Sequence, residues 1–143
     1  MPHSAHEYEQ EQQQQQQQPK PVVPGQGLAV TAEVLYITNL LLLPGLAFIA
    51  LLVVYVRNIR SAPALAACHL RQTLSASLWA GALLLVANIM IVLLGGYRSP
   101  NTWMVVIIYF TTCHATLVLL GVMGLARAMA GQCFRYPMVG RPI

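Results

Sequence analysis

Cysteine stands next to histidine twice, at Cys68-His69 and Cys113-His114, and a thiolate beside an imidazole is a donor set that suits copper or zinc. Adjacent residues on a helix project about 100° apart, so neither pair chelates one ion by itself. On the layout given below, His69 falls near a membrane boundary and His114 in mid-membrane, farther apart than one coordination shell spans. A bis-histidine haem meets the same obstacle, and no Cys-x-x-Cys-His attachment sequence occurs. The expectation is therefore no metal and no cofactor. The third cysteine, Cys133, completes a set too small and too dispersed for a disulfide framework, and all three are expected as free thiols.

Other chemistry is scarcer still. Four acids are present, Glu7, Glu9, Glu11 and Glu33, and only Glu33 lies beyond the N-terminal tail, so paired-carboxylate catalysis is excluded. No serine or cysteine sits in a nucleophile arrangement with an oriented base, and the glycines follow neither the phosphate-loop nor the dinucleotide pattern. An enzyme is not expected. The eight basic residues give a net charge of +4, but Lys20, Arg57, Arg60, Arg71, Arg98, Arg127, Arg135 and Arg141 stand at the edges of apolar runs and form no continuous stripe. Nucleic acid is excluded as a partner on that distribution, and the lipid bilayer takes its place.

The elements that must position these residues follow from composition. Of 143 residues, 57% are hydrophobic and 8% charged, with mean hydropathy +0.59, whereas soluble domains carry about 25% charge. The expectation is an all-α integral membrane protein with a disordered tail. Residues 1–27 hold the acids, seven consecutive glutamines from Gln12 to Gln18, and then Pro19, Pro21, Pro24, Gly25 and Gly27, a polyglutamine and proline composition that cannot bury a core. Residues 28–143 form the membrane domain, with three transmembrane helices expected over 35–56, 74–94 and 103–126.

Pro44 and Gly45 fall inside the first span, where proline removes a donor and a kink is expected. Glu33 should stay at headgroup level, just ahead of that span. Ser61-Ala62-Pro63 reads as a helix start, as does Ser99-Pro100 after the paired glycines Gly95 and Gly96, and Trp103 reads as an interfacial anchor. Six basic residues flank the connection after span one and the C-terminal end, against two in the tail and the second loop. The positive-inside rule then puts the N-terminus outside and the C-terminus in the cytoplasm.

Polar residues inside spans need explanation, and Asn39, Asn88 and His114 are the main ones. Thr73, Ser77, Gly81 and Asn88 share one face of span two. His114, Gly121, Gly124 and Ala128 share one face of span three. Such small-residue stripes read as packing faces through which copies of the chain could associate, with Asn88 and His114 pointing inward.

Two boundary segments carry a resemblance. Cys68-His69-Leu70-Arg71-Gln72-Thr73-Leu74, together with the stretch from Ala126 to Arg141 that includes Gly131-Gln132-Cys133-Phe134-Arg135-Tyr136-Pro137, resembles a family of small bacterial membrane proteins of unknown function. That family is in turn similar to the chloroplast inner-envelope import component of the Tic complex. The resemblance implies a helical, multi-pass protein of the bacterial inner membrane and assigns no activity. It singles out His69, Arg71 and Gln72 in the first segment and Phe134, Arg135, Tyr136 and Pro137 in the second. Both segments fall on the cytoplasmic boundary, and the first is expected to cap the second through its imidazole, amide and guanidinium; Arg135 and Tyr136 are alternatively interfacial anchors for headgroups.

The function expected is noncatalytic: an accessory or scaffold protein that binds a partner, as a homo-oligomer or within a larger membrane complex. A metal- or cofactor-binding subunit using His114, and a small channel or translocation component, are the alternatives.

Overall fold

A computed structural model describes residues 23–137. The tail expected to be disordered lies, up to residue 22, outside the described residues, as do Lys20 and Arg141. Four helices follow one another: α1 (Gln26–Leu41), α2 (Leu46–Asn58), α3 (Ala64–Leu93) and α4 (Pro100–Met129). The all-α expectation holds, but the first apolar stretch is two helices and not one.

The break falls at 42–45. Pro44 has no N–H for the helical ladder, and Gly45 takes a φ of 89°, which side chains with a Cβ resist. Asn39 completes the reversal, its Oδ1 accepting from the Gly45 N–H at 3.0 Å. The chain then doubles back, so that Leu51 at the centre of α2 packs on Ala32 of α1 and Leu70 of α3, with Leu28, Tyr55 and Ile59 closing the same cluster. A proline alone kinks a helix; proline followed by a glycine with positive φ, and an amide to hold the turn, reverses it. The continuous span over 35–56 is corrected accordingly.

The helices differ in reach. α3 and α4 have 30 residues each, about 45 Å, more than the ~30 Å of hydrocarbon in a bilayer. Both are long and apolar enough to cross a membrane, and only 22% and 11% of their most apolar windows are buried. Leu85, Val92, Leu93, Ile107 and Ile108 project outward, each more than half exposed. By contrast α1 and α2 have 16 and 13 residues, about 24 and 20 Å. Their turn is apolar and exposed, with Leu42 at 73% and Leu46 at 67%.

Doubling back brings the start of α1 to the end of α4. Gln26 at the start of α1 donates from Nε2 to the Met129 carbonyl at the end of α4, at 2.6 Å, and Ala29 packs with Leu65 and Ala128. Residues 23–29, 63–70 and 128–136 therefore share one end of the bundle, and the 94–99 loop lies at the other.

At the loop end, Ser99 caps α4 by position, with Pro100 in the first turn and no side-chain cap bond. Trp103 Nε1 donates to the Tyr97 carbonyl at 2.8 Å. Asn88 is exposed and bonds locally, donating to the Leu84 carbonyl and accepting from the Tyr97 hydroxyl at 3.3 Å. It does not point inward towards His114.

Candidate functional site

Where the start of α1 meets the end of α4, three helices and residues 132–136 enclose a polar cluster. α4 ends in a Schellman turn: Gly131, at φ 70°, donates to the Ala128 carbonyl, and the Gln132 N–H donates to the Arg127 carbonyl at 2.9 Å. The Arg127 guanidinium also donates to Gln132 Oε1 at 2.6 Å. This turn directs residues 132–136 back across the starts of α1 and α3.

Glu33 of α1 lies at the centre of the cluster and is fully buried. Its Oε1 is 2.6 Å from Nδ1 of His69, also fully buried, on α3. Its Oε2 accepts from the Tyr136 hydroxyl at 2.6 Å. His69 Nε2 lies 3.1 Å from the Gln132 carbonyl oxygen, and a carbonyl can only accept, so Nε2 carries a hydrogen. The short Nδ1 to Oε1 contact therefore holds one shared proton, and the pair is neutral as a whole. Gln72 adds a second clamp on the segment, its Oε1 accepting from the Tyr136 N–H at 3.0 Å; its Nε2 is buried without a partner among the described residues.

Small residues make room for these groups. A Cβ built on Gly124 of α4 would stand 2.6 Å from both Glu33 Oε2 and the Tyr136 hydroxyl, and one on Gly121 would stand 2.8 Å from the Tyr36 ring. The Tyr36 hydroxyl donates to the Leu117 carbonyl, and its ring lies 6.0 Å from that of Tyr136. The small-residue stripe expected to join copies of the chain is thus filled from within the same chain by Tyr36, Glu33 and Tyr136. Burial first, and then the Glu33 carboxylate, push the Tyr136 phenol well above its ordinary value, so it stays a donor.

Cys68 and Cys133 flank the cluster and form a disulfide, with Cα atoms 6.1 Å apart, within the range a disulfide spans without backbone movement. Three free thiols were expected; among the described residues Cys113 alone is free. Sequence separation hid the pairing, because the two cysteines approach only once the Schellman turn folds the C-terminal segment over α3.

The residues of the two boundary segments fall into two sets. His69, Gln72 and Tyr136 converge on Glu33 and on each other, while Phe134 packs edge-on against Tyr136 with ring centroids 5.7 Å apart. Arg71, Arg135 and Pro137 are exposed and stand outside this network. The expected capping is thus carried by the imidazole and the amide without the Arg71 guanidinium. Tyr136 is 1% exposed and is not a headgroup anchor. Glu33, expected at headgroup level, was not among the expected site residues, and the structure puts it, fully buried, at the centre of the cluster. One signal was available: it is the one acid after residue 11, set in an apolar run, and such a group demands a partner.

Of the intramembrane polar residues, Asn39 holds the α1–α2 turn, and His114 is half-buried and stacked on Phe110 with ring centroids 5.0 Å apart. The Cys-His pairs are separate, the first in the cluster and the second beside a cavity treated below. No group of three or more metal-ligating side chains occurs among the described residues. Compared with family models, curated proteins and solved structures, the chain matches none.

Proposed function

We propose that this chain is a noncatalytic, multi-pass membrane protein, an accessory or scaffold component whose Glu33–His69–Tyr136 cluster is a structural clasp. The observation that carries this reading is saturation. Both Glu33 oxygens, both His69 nitrogens and the Tyr136 hydroxyl are spent on groups of this chain, and all three side chains are buried. Among these three side chains no polar atom is left to attack a substrate, and the unpaired Gln72 Nε2 beside them is an amide donor and no nucleophile. The cost of burying a carboxylate is offset by an imidazole and a phenol, and removing one member of such a pair costs about 3–5 kcal/mol.

The membrane reading rests on α3 and α4, whose apolar sides face outward. Arg57, Arg60, Arg71, Arg127 and Arg135 belong to the clasp end, against Arg98 at the other, so the clasp end is assigned to the cytoplasmic side by the positive-inside rule. The N-terminal tail goes with it. Cytoplasmic thiols are kept reduced, and there the hydrogen bonds would hold the segment without the Cys68–Cys133 bond. The bacterial inner-membrane family suggested by the boundary segments is kept as part of this proposal.

The test compares His69→Ala with Arg135→Ala, measuring thermal stability in detergent and crosslinking to neighbours in native membranes. A structural clasp with an exposed docking rim predicts that His69→Ala loses stability, whereas Arg135→Ala keeps stability and loses crosslinks. Unchanged stability of His69→Ala with lost crosslinks would instead make His69 a recognition residue.

A further inference from the structure

Beneath the α1–α2 turn, where the short hairpin stops and the long helices continue, lies a cavity of about 620 Å³. That is within the range of small-molecule sites, about 300–1,000 Å³. Leu84, 56% exposed, and the exposed Gly81 border it, so it opens to the side facing lipid. We infer that this cavity binds a quinone-class molecule, a flat ring with two carbonyl oxygens on an apolar tail.

The polar groups on its wall select for acceptors. Ser77 is 4% exposed, and its Oγ has no hydrogen-bond partner, a state that costs about 1–3 kcal/mol unless a partner arrives. Asn39 also lines the cavity; its Oδ1 accepts from the Gly45 N–H, and its NH₂ group supplies donors. His114 supplies a ring N–H with no partner among the described residues, and its stacking on Phe110, with the two planes 13° apart, gives a flat wall for an aromatic ligand. Each of the three side chains thus has a donor to offer, which a ring bearing carbonyls and no N–H can accept.

Depth narrows the source. Ser77 and His114 stand at the middle of their 30-residue helices, about 20 Å from either end. Glycerol ester carbonyls lie at the edges of the hydrocarbon, about 15 Å from its midplane. A phospholipid could send only its acyl chain to this depth, leaving the donors unpaired. A lipophilic quinone ring moves freely at mid-membrane. The inference concerns binding and invokes no electron transfer, and it is independent of the clasp, which lies at the end of the bundle.

The experiment uses the full chain in detergent and tritiated decylbenzoquinone, with decylbenzene as a competitor that keeps the tail and lacks the carbonyls. Saturable binding is expected, with decylbenzene competing at least 10-fold more weakly than unlabelled quinone. Ser77→Ala should weaken binding about 3- to 10-fold. Gly81→Phe, whose Cβ meets nothing within 4 Å, should fill the cavity and abolish binding at unchanged thermal stability. No saturable binding by the native chain, or equal competition by decylbenzene, would overturn the assignment, the latter in favour of an acyl chain. Full binding by Gly81→Phe, or a native dimer that this substitution dissociates, would overturn it as well. If Gly81→Phe does not fold, undiminished binding by Ser77→Ala remains sufficient to refute it.

Discussion

Replacing Gly124 with alanine adds one methyl group to α4 at the most crowded point of the clasp. The new Cβ would lie 2.6 Å from Glu33 Oε2 and from the Tyr136 hydroxyl, some 0.8 Å inside the 3.4 Å at which ordinary contact begins. Neither oxygen can retreat freely. Glu33 is tied to His69 through its other oxygen at 2.6 Å, and the Tyr136 backbone is tied to Gln72. A shift of that size takes the 2.6 Å bond between Tyr136 and Glu33 beyond the O–H···O range of about 2.5–3.0 Å. Losing a hydrogen bond to a charged group costs about 1.5–3 kcal/mol, and overpacking adds about 1–3. Alanine's better helix propensity returns about 0.5–1, so a net loss of about 1.5–5.5 kcal/mol is expected, on the order of 10 °C in midpoint for a chain of this size. Thermal unfolding in detergent, followed by circular dichroism, measures it. Gly81→Ala is the control, since its Cβ meets nothing within 4 Å and its midpoint should hold or rise. Equal midpoints for Gly124→Ala and the native chain would refute the packing argument.

Other outcomes follow from the same geometry. A double-mutant cycle on Glu33→Ala and Tyr136→Phe, read by equilibrium unfolding, should give a coupling of about 1.5–3 kcal/mol, while independent additivity would mean that the bond contributes nothing. The Tyr136 phenol, raised above its ordinary 10.0 in the fold, binds its proton more tightly folded than unfolded; stability from this group is complete below pH 10 and declines as pH rises above it. Tyr136→Phe should flatten that alkaline decline in a pH series of melts. Maleimide mass tagging of unreduced, air-oxidised protein should add one tag, at Cys113, and three after reduction; for a separation of 65 residues, reduction should cost at most about 4 kcal/mol.

The helical content was legible because 57% apolar composition with so few charges leaves little alternative in a bilayer. Both long helices were anticipated, and so was the approach of His69 and Gln72 to the segment that holds Tyr136. Pro44 was read as a kink because proline alone does that; the reversal also required the φ of Gly45 and the acceptor of Asn39, a conjunction spread over seven residues. From that one reading followed one helix where the structure has two. Glu33 was assigned to the headgroups because an unpaired acid in lipid is costly, yet its partners stand 36 and 103 positions away, beyond any local pattern. The glycine stripe on α4 was correctly seen as a packing face, but whether a second copy or Tyr36 fills it is a tertiary fact.

The reversal at Pro44–Gly45 carries everything else, since the clasp, the cavity and the meeting of the start of α1 with the end of α4 all depend on it. In a background of Cys68→Ser, Cys113→Ala and Cys133→Ser, single substitutions Gly27→Cys, Ser61→Cys, Ser99→Cys and Arg135→Cys can be labelled with an impermeant maleimide in sealed right-side-out vesicles. Gly27→Cys, Ser61→Cys and Arg135→Cys should be protected together, and Ser99→Cys should label. Labelling of Gly27→Cys while Ser61→Cys stays protected would mean that one continuous helix crosses the membrane there, and would contradict the hairpin.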